Sequence, residues 1–365
     1  MNIHSNGLLP LYLAYVVPAT LANAFLALFL LTHLNVGLSG LLAYYGLAFA
    51  VGAAAVALQG PIHLRTAFVI AAVLVAAEFL ILAVSTSLAH TLLAAVAYGL
   101  LMMYFWTAYN ALHFKKQPPN QNATNSAHYW VVIWTAALAL PLIGAAILNA
   151  AGFKELYLVA AALSIGLLWK AFGFKKEKIR FNLARDIRKS HGYRTLTFLE
   201  GALTAMPLCI LPALSVLYFP TPTEFGIYTA FVALAGIAAA IVLAQASDAL
   251  NKRKRFLAPL SLATAAALLA ALLAQDAWVW AVATAAFSFV YALSSPLRIA
   301  VILDKEKRAE VAMSNREFLL NAGRVAALGA SGIGIALGQP QTAIASGIAA
   351  ALGYAVMLNK KEWIT

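Results

Sequence analysis

Apolar residues in this chain fall in long runs rather than in alternation. Twelve such runs are separated by short polar stretches: about 8–32, 38–58, 66–86, 89–114, 128–150, 155–174, 195–219, 224–248, 256–274, 278–303, 315–337 and 341–358. A helix rising 1.5 Å per residue needs about 20 apolar residues to cross roughly 30 Å of hydrocarbon. The pattern therefore predicts twelve transmembrane helices. Alternating segments of about ten residues, the mark of a membrane β-barrel, are absent. Pro18, Pro141, Pro207, Pro212 and Pro296 fall inside runs, where each removes a backbone hydrogen bond and permits a kink.

Composition fixes the solvent. Of 365 residues, 63% are hydrophobic and 10% charged, against about half and a quarter in soluble domains. A soluble enzyme, a nucleic-acid module and a disordered chain are excluded. The reading is an all-α integral membrane protein with the lipid bilayer as its partner. The first run is too long for a signal-peptide core, so it is read as a span. The single cysteine, Cys209, leaves no disulfide or multi-cysteine metal site.

The net charge of +12 is explained by its placement. With residue 1 inside, the inner loops hold Arg65, Lys115, Lys116, the 175–194 stretch, Lys252 to Arg255, Lys305, Lys307 and Arg308, while the outer loops hold only Lys154. This positive-inside asymmetry requires an even number of spans, both termini cytoplasmic, and no nucleic acid. A plasma-membrane location is expected. The 175–194 stretch reads either as a solvated basic linker or, through Ile179, Leu183 and Ile187, as a helix lying on the anionic inner leaflet.

Six spans, a basic middle loop and six more spans indicate duplication. The expected division is 1–174, linker 175–194, and 195–365. At an offset of about 189 residues, the junction after span 8, Ala244-Gln-Ala-Ser-Asp248-Ala-Leu-Asn-Lys252-Arg253-Lys254-Arg255, lies opposite the junction holding Gln59, His63 and Arg65. In this topology and in Asp248 with its basic run, the chain resembles the major facilitator superfamily of secondary transporters. Asn251 replaces the usual turn glycine, and Gln59 replaces the acid of the first-half copy. The resemblance implies two pseudo-symmetric six-helix bundles, a central cavity lined by spans 1, 2, 4, 5, 7, 8, 10 and 11, peripheral spans 3, 6, 9 and 12, and alternating access. It also implies a charge network latching the inner gate, which would fall to Asp248, Arg298 and Glu317. The first-half equivalents are near Gln59, Asn110 and His128.

Ionisable groups inside spans are costly, so each is a functional candidate. Glu317, Asn321 and Arg324 share one stripe of span 11. Arg324, about 13 Å in, reads as an anion-binding group or as a partner for a buried carboxylate. Asn110, Tyr109 and Trp106 share a face of span 4 and complete the expected substrate contacts. Tyr12 and Trp130 read as interfacial anchors or as cavity wall. Glu200, Glu78 and His128 are the proton-coupling candidates, since burial favours a protonated carboxyl. Glu200 has a second reading as the partner of Arg324, and Glu78 as a bond to a neighbouring helix. Gly329, Gly332, Gly334 and Gly338 suggest close helix packing.

No P-loop, HExxH, GxSxG or selectivity-filter motif is present, so the chain is read as neither an enzyme nor a channel and no cofactor is implied. The expected function is proton-coupled transport of a small organic solute, anionic or amphipathic, by a monomer. The alternatives are multidrug or lipid efflux on the same fold and, in another class, a non-transporting receptor or assembly factor.

Overall fold

The computed structural model describes residues 8–115, 122–175, 177–190, 193–250 and 253–359, with the side chains of 122–129, 189, 240–250 and 253–254 outside that description. Twelve helices long and apolar enough to span a membrane cover Leu8–His33, Gly37–Leu58, Leu64–Ala83, Leu88–Lys115, Trp130–Ala150, Phe153–Phe172, Arg194–Ser215, Pro222–Ala239, Arg255–Leu272, Ala277–Lys305, Ala309–Ala336 and Pro340–Leu358. These are spans 1 to 12. The helices of spans 5, 8 and 9 run on to Asn122, Leu250 and Arg253.

Most ends fall within a few residues of those read from hydropathy. Span 11 differs: it begins at Ala309, six residues before its apolar run at 315. Glu310, Asn315 and Arg316 break the hydropathy there, yet Asn315 and Arg316 are buried. Protein rather than lipid surrounds that first turn, so apolarity is the wrong criterion for it.

Successive spans reverse direction, so the loops after spans 2, 4, 6, 8 and 10 share one face. That face carries nearly all the loop Lys and Arg and is called the basic face below. Two six-helix halves meet along spans 2 and 11, 5 and 8, 5 and 10, and 4 and 11. Large apolar side chains cover the exterior, among them Leu80, Leu93, Ile165, Leu234 and Leu273. Exposed Trp169 lies at the basic end of span 6 and exposed Trp278 at the opposite end of span 10, as interfacial aromatics do.

The linker between the halves is strapped across the basic face. Lys178–Ile179 forms a two-residue antiparallel ribbon with Ile62–His63. A single helical turn, Leu183–Asp186, follows, capped by the Asn182 side chain on the Arg185 N–H. Ile179, Phe181 and Leu183 are buried against the bundle. The expected leaflet-facing apolar edge is thus turned into protein instead, because the gap between the halves offers it a dry surface. Asp186 fixes this strap. Its carboxylate accepts from the Asn182 amide and from Arg185, with Arg308 of the second half 3.6 Å away. Burial pushes the Asp186 carboxyl up, but these donors and cations outweigh it and hold the group below the usual carboxylate range.

Candidate functional site

A central cavity of about 400 Å³ lies between the halves. Among the described residues its wall is drawn from spans 1, 2, 4, 5, 7, 8, 10 and 11, and from none of spans 3, 6, 9 and 12. Three of the lining helices lose regular geometry beside it. Span 1 breaks between Asn23 and Leu26, where the Phe25 N–H bonds back only three residues, to Ala22. Span 4 widens to π-helical turns over Met102–Thr107 and span 7 over Met206–Ile210, around Pro207. Such irregular backbone is tolerated at membrane depth where it is buried in protein or lines a cavity. The proline signal was legible in span 7. In span 1 the break falls one turn beyond Pro18.

The first-half wall is aromatic. Tyr15, Tyr45, Tyr98, Trp106, Trp130 and Trp134 line it together with Asn110. Tyr15 stacks on Phe105 with centroids 4.0 Å apart and meets Trp106 edge-on at 5.2 Å. Tyr109 does not line the cavity. It lies one layer behind, stacked on Tyr12 at 4.8 Å and on Phe105 at 5.6 Å. Tyr12 is therefore packing inside the half, and Trp130, edge-on to Tyr291 of span 10 at 6.3 Å, is cavity wall. Neither is an interfacial anchor. Trp134 lies against Gly236 of span 8, where a Cβ would meet its ring at 2.6 Å. Its indole N–H has no hydrogen-bond partner among the described residues, and the same holds for the hydroxyl of Ser288 across the cavity.

The second-half wall carries the charge, and two glycines set its register. A Cβ on Gly323 would lie 2.0 Å from the Phe198 carbonyl oxygen, and one on Gly201 2.3 Å from that of Leu320. Spans 7 and 11 thus touch backbone to backbone. This contact brings Glu200 opposite Arg316, with Nη2 donating to Oε1 at 2.6 Å. It also brings Thr204 opposite Arg324, whose Nε donates to Oγ1 at 2.8 Å. Arg324 Nη1 donates to Asn321 Oδ1 at 2.7 Å, its guanidinium lies over Phe49 at 5.1 Å, and Glu317 is 3.7 Å away. Glycine-mediated packing was expected at 329–338; Gly329 instead faces open space, and Gly334 approaches Thr342.

Several sequence expectations are revised by this geometry. Glu200 pairs with Arg316, not Arg324, whose guanidinium is taken up instead by Thr204, one turn further along span 7, and by Asn321. Asn321 leaves the cavity stripe: it faces span 2, where a Cβ on Gly52 would come within 3.1 Å of its Nδ2. Glu317 lines the cavity and turns to Arg324, because the longer span 11 places it about 12 Å from the helix start. The expected link from Glu317 to Arg298 is not formed. Arg298, 1% exposed, lies between the rings of Tyr291 and Tyr354 at 5.4 and 5.1 Å, with no hydrogen-bond partner among the described residues. The side chains of Asp248 and His128 lie outside the described residues. Glu78 is on peripheral span 3, fully buried and away from the cavity wall. Gln59 accepts from the Tyr104 hydroxyl at 3.2 Å.

Arg316, Thr204 and Ser288 were not anticipated. Arg316 carried a signal, a second arginine beside Glu317, but it fell at the edge of the apolar run. Thr204 and Ser288 carry none, because hydroxyl residues are common in membrane helices.

Chemically, the wall offers an aromatic face opposite Arg316, Arg324 and Glu317, with Glu200 set behind it as the partner of Arg316. Arg316 is committed to Glu200. Of the five N–H donors of a guanidinium, Arg324 spends two on neutral acceptors. Its ionic contact with Glu317 is beyond hydrogen-bond range, so a cationic edge remains directed at the cavity.

No protein-family model matches the sequence, and no curated protein matches it. Among solved structures, the chain is similar to the crystal structure of the human organic anion transporter MFSD10 (TETRAN), with a TM-score of 0.68 and 14% identity, over 98% of this chain and 100% of that one. At that identity the likeness is one of fold.

Proposed function

For a chain with the fold of the major facilitator superfamily, we propose secondary active transport of an amphipathic organic anion by alternating access. The observation that carries this reading is Arg324, a buried guanidinium with unspent donors on the wall of an otherwise aromatic cavity. The acid group of the solute would meet Arg324, and its apolar body would lie along Trp106, Trp130 and Trp134. The unpartnered Ser288 hydroxyl and Trp134 N–H supply further polar contacts. A site that is mostly apolar with a few convergent polar groups is the usual form of small-molecule recognition. The solved anion transporter of the same fold supports the same substrate class.

Both ends of the cavity are bridged by contacts that would have to break in turn. On the basic face, Lys115 Nζ of the first half donates to Glu310 of the second at 3.0 Å and to Glu177 of the linker at 2.8 Å, and the Arg180 amide donates to the other oxygen of Glu310 at 3.1 Å. On the opposite face, Asn149 donates to Thr223 at 2.7 Å and Phe25 meets Phe225 at 6.1 Å. We assign the basic face to the cytoplasm of a plasma membrane, on the positive-inside rule.

A second reading, efflux of neutral or cationic amphipaths, is favoured by one observation: Glu317 also faces the cavity, so the two arginines are matched by two carboxylates. A thermal-shift screen of the purified protein separates the two. Aromatic carboxylates or sulfonates should raise the unfolding temperature, by about 2.7 kcal/mol of stabilisation at a hundredfold excess over Kd, while their uncharged amides should not. Stabilisation by cationic amphipaths alone would support efflux instead.

A further inference from the structure

The first half contains one buried carboxyl group, and the cavity does not use it. Glu78, in the half of span 3 away from the basic face, is 0% exposed; among the described residues neither of its oxygens makes a close hydrogen bond, and Asn23 and Tyr44 are the side chains poised to donate to it. No Lys, Arg or His pairs with it among the described residues. The polar side chains that face it come from every neighbouring element: Asn23 of span 1, Tyr44 and Tyr45 of span 2, Tyr98 of span 4 and Tyr157 of span 6. The hydroxyls of Tyr44 and Tyr157 and the Oδ1 of Asn23 are likewise buried, with no close hydrogen bond among the described residues. A buried carboxyl with no close partner, set among buried polar atoms that also lack one, is far from the usual satisfaction of polar groups in protein interiors.

Such a carboxylate requires a cation. A hard metal ion collects about six or more oxygens, and a closed site with one carboxylate, one amide oxygen and phenols falls short of that. A proton requires one oxygen and no volume. A route exists as well. Asn23 both faces Glu78 and lines the cavity, at the point where span 1 breaks. Tyr98, also on the cavity wall, lies within electrostatic reach of both Glu78 and Arg324.

We infer that Glu78 is a proton-binding site set behind the cavity wall, loaded past Asn23, and that its occupancy is linked to anion binding at Arg324. The inference rests on the transport reading for the anion, though not for the proton. The sign of the linkage follows from charge. An ionised Glu78 adds a negative charge to the field in which an anion would bind, and protonation removes it. Proton and anion therefore bind with positive coupling, and each strengthens the other equally. This is the behaviour of a proton–anion symporter. Glu200 is unsuited to the role while it holds Arg316.

Infrared difference spectroscopy of the full chain in nanodiscs, with protons as the only ligand, tests the site. The wild type should show the carbonyl stretch of a protonated carboxyl at neutral pH. Glu78→Gln should lose one carboxyl's amplitude, Glu200→Gln should keep it, and Asn23→Ala should shift the band, which covers the case in which Glu78→Gln fails to fold. A band unchanged by both Glu78→Gln and Asn23→Ala overturns the proposal, as does a band removed by sodium but not by potassium. In proteoliposomes fed an aromatic carboxylate, Glu78→Gln should retain solute exchange and lose its dependence on the pH gradient. Gradient-driven uptake by Glu78→Gln overturns the linkage. If no tested anion crosses the wild-type membrane while the band behaves as stated, the transport reading fails and the proton site stands.

Discussion

Arg316 and Arg324 lie about two turns apart on span 11, and their neighbours give them different work. Arg316 is closed by a short ion pair with Glu200. Arg324 rests on a threonine and an asparagine, with its carboxylate partner at arm's length. Breaking a buried pair leaves a charge with little compensation, at a cost of about 3–5 kcal/mol. Glu200→Gln should therefore lower stability in detergent by a few kcal/mol, and Glu317→Gln by distinctly less, since Arg324 keeps both hydrogen bonds. Thermal unfolding of the two variants side by side checks the ranking; equal losses would contradict it. Arg298, held by two tyrosine rings, is a reminder that a cation in a span can be met by π faces as well as by acids.

At the scale of elements, the crossing of spans 7 and 11 positions the whole charged wall. Gly323→Ala places a methyl group inside a backbone contact and should cost about 1–3 kcal/mol through overpacking. Gly329→Ala, in open space, should leave the unfolding temperature unchanged, and the same melting assay reads both. The linker offers a pH-dependent counterpart. The Asp186 carboxyl is held below its ordinary range in the folded chain. Its contribution is therefore present above the ordinary carboxylate range and is lost as pH falls through the lowered folded-state value. Limited proteolysis between spans 6 and 7 should accelerate in acid for the wild type, whereas Asp186→Asn should be cleaved readily at neutral pH with little further acid response.

These elements also show what was legible in the chain. All twelve spans were readable because lipid imposes a length and a polarity that hydropathy reports directly. The start of span 11 was not, because its polar turn is solvated by protein. Arg324 was found as a charge too deep to face lipid. The partner of Glu200 was not, since a glycine contact between two distant helices decides it. The linker's apolar residues were visible, but whether lipid or protein would cover them depends on a gap that exists only after the halves meet.

At the scale of the whole molecule, the account requires two halves that part at one face while closing at the other. Lys115, Glu310 and Glu177 hold the basic face across the seam. Combining Lys115→Ala with Glu310→Gln should shift the population toward opening on that face. The only native cysteine, Cys209, is buried, so a cysteine introduced at Asn110 can report the change. Its labelling by a membrane-impermeant thiol reagent from the basic side should rise several-fold in the double variant.

Flux of a labelled aromatic carboxylate into proteoliposomes, compared between the wild type and Arg324→Gln, bears most directly on the whole account. The wild type should show saturable uptake, and Arg324→Gln should lose it by at least tenfold while folding normally. Equal uptake by the two proteins would mean that the charged edge in the cavity does not select the solute, and would contradict the function proposed for it.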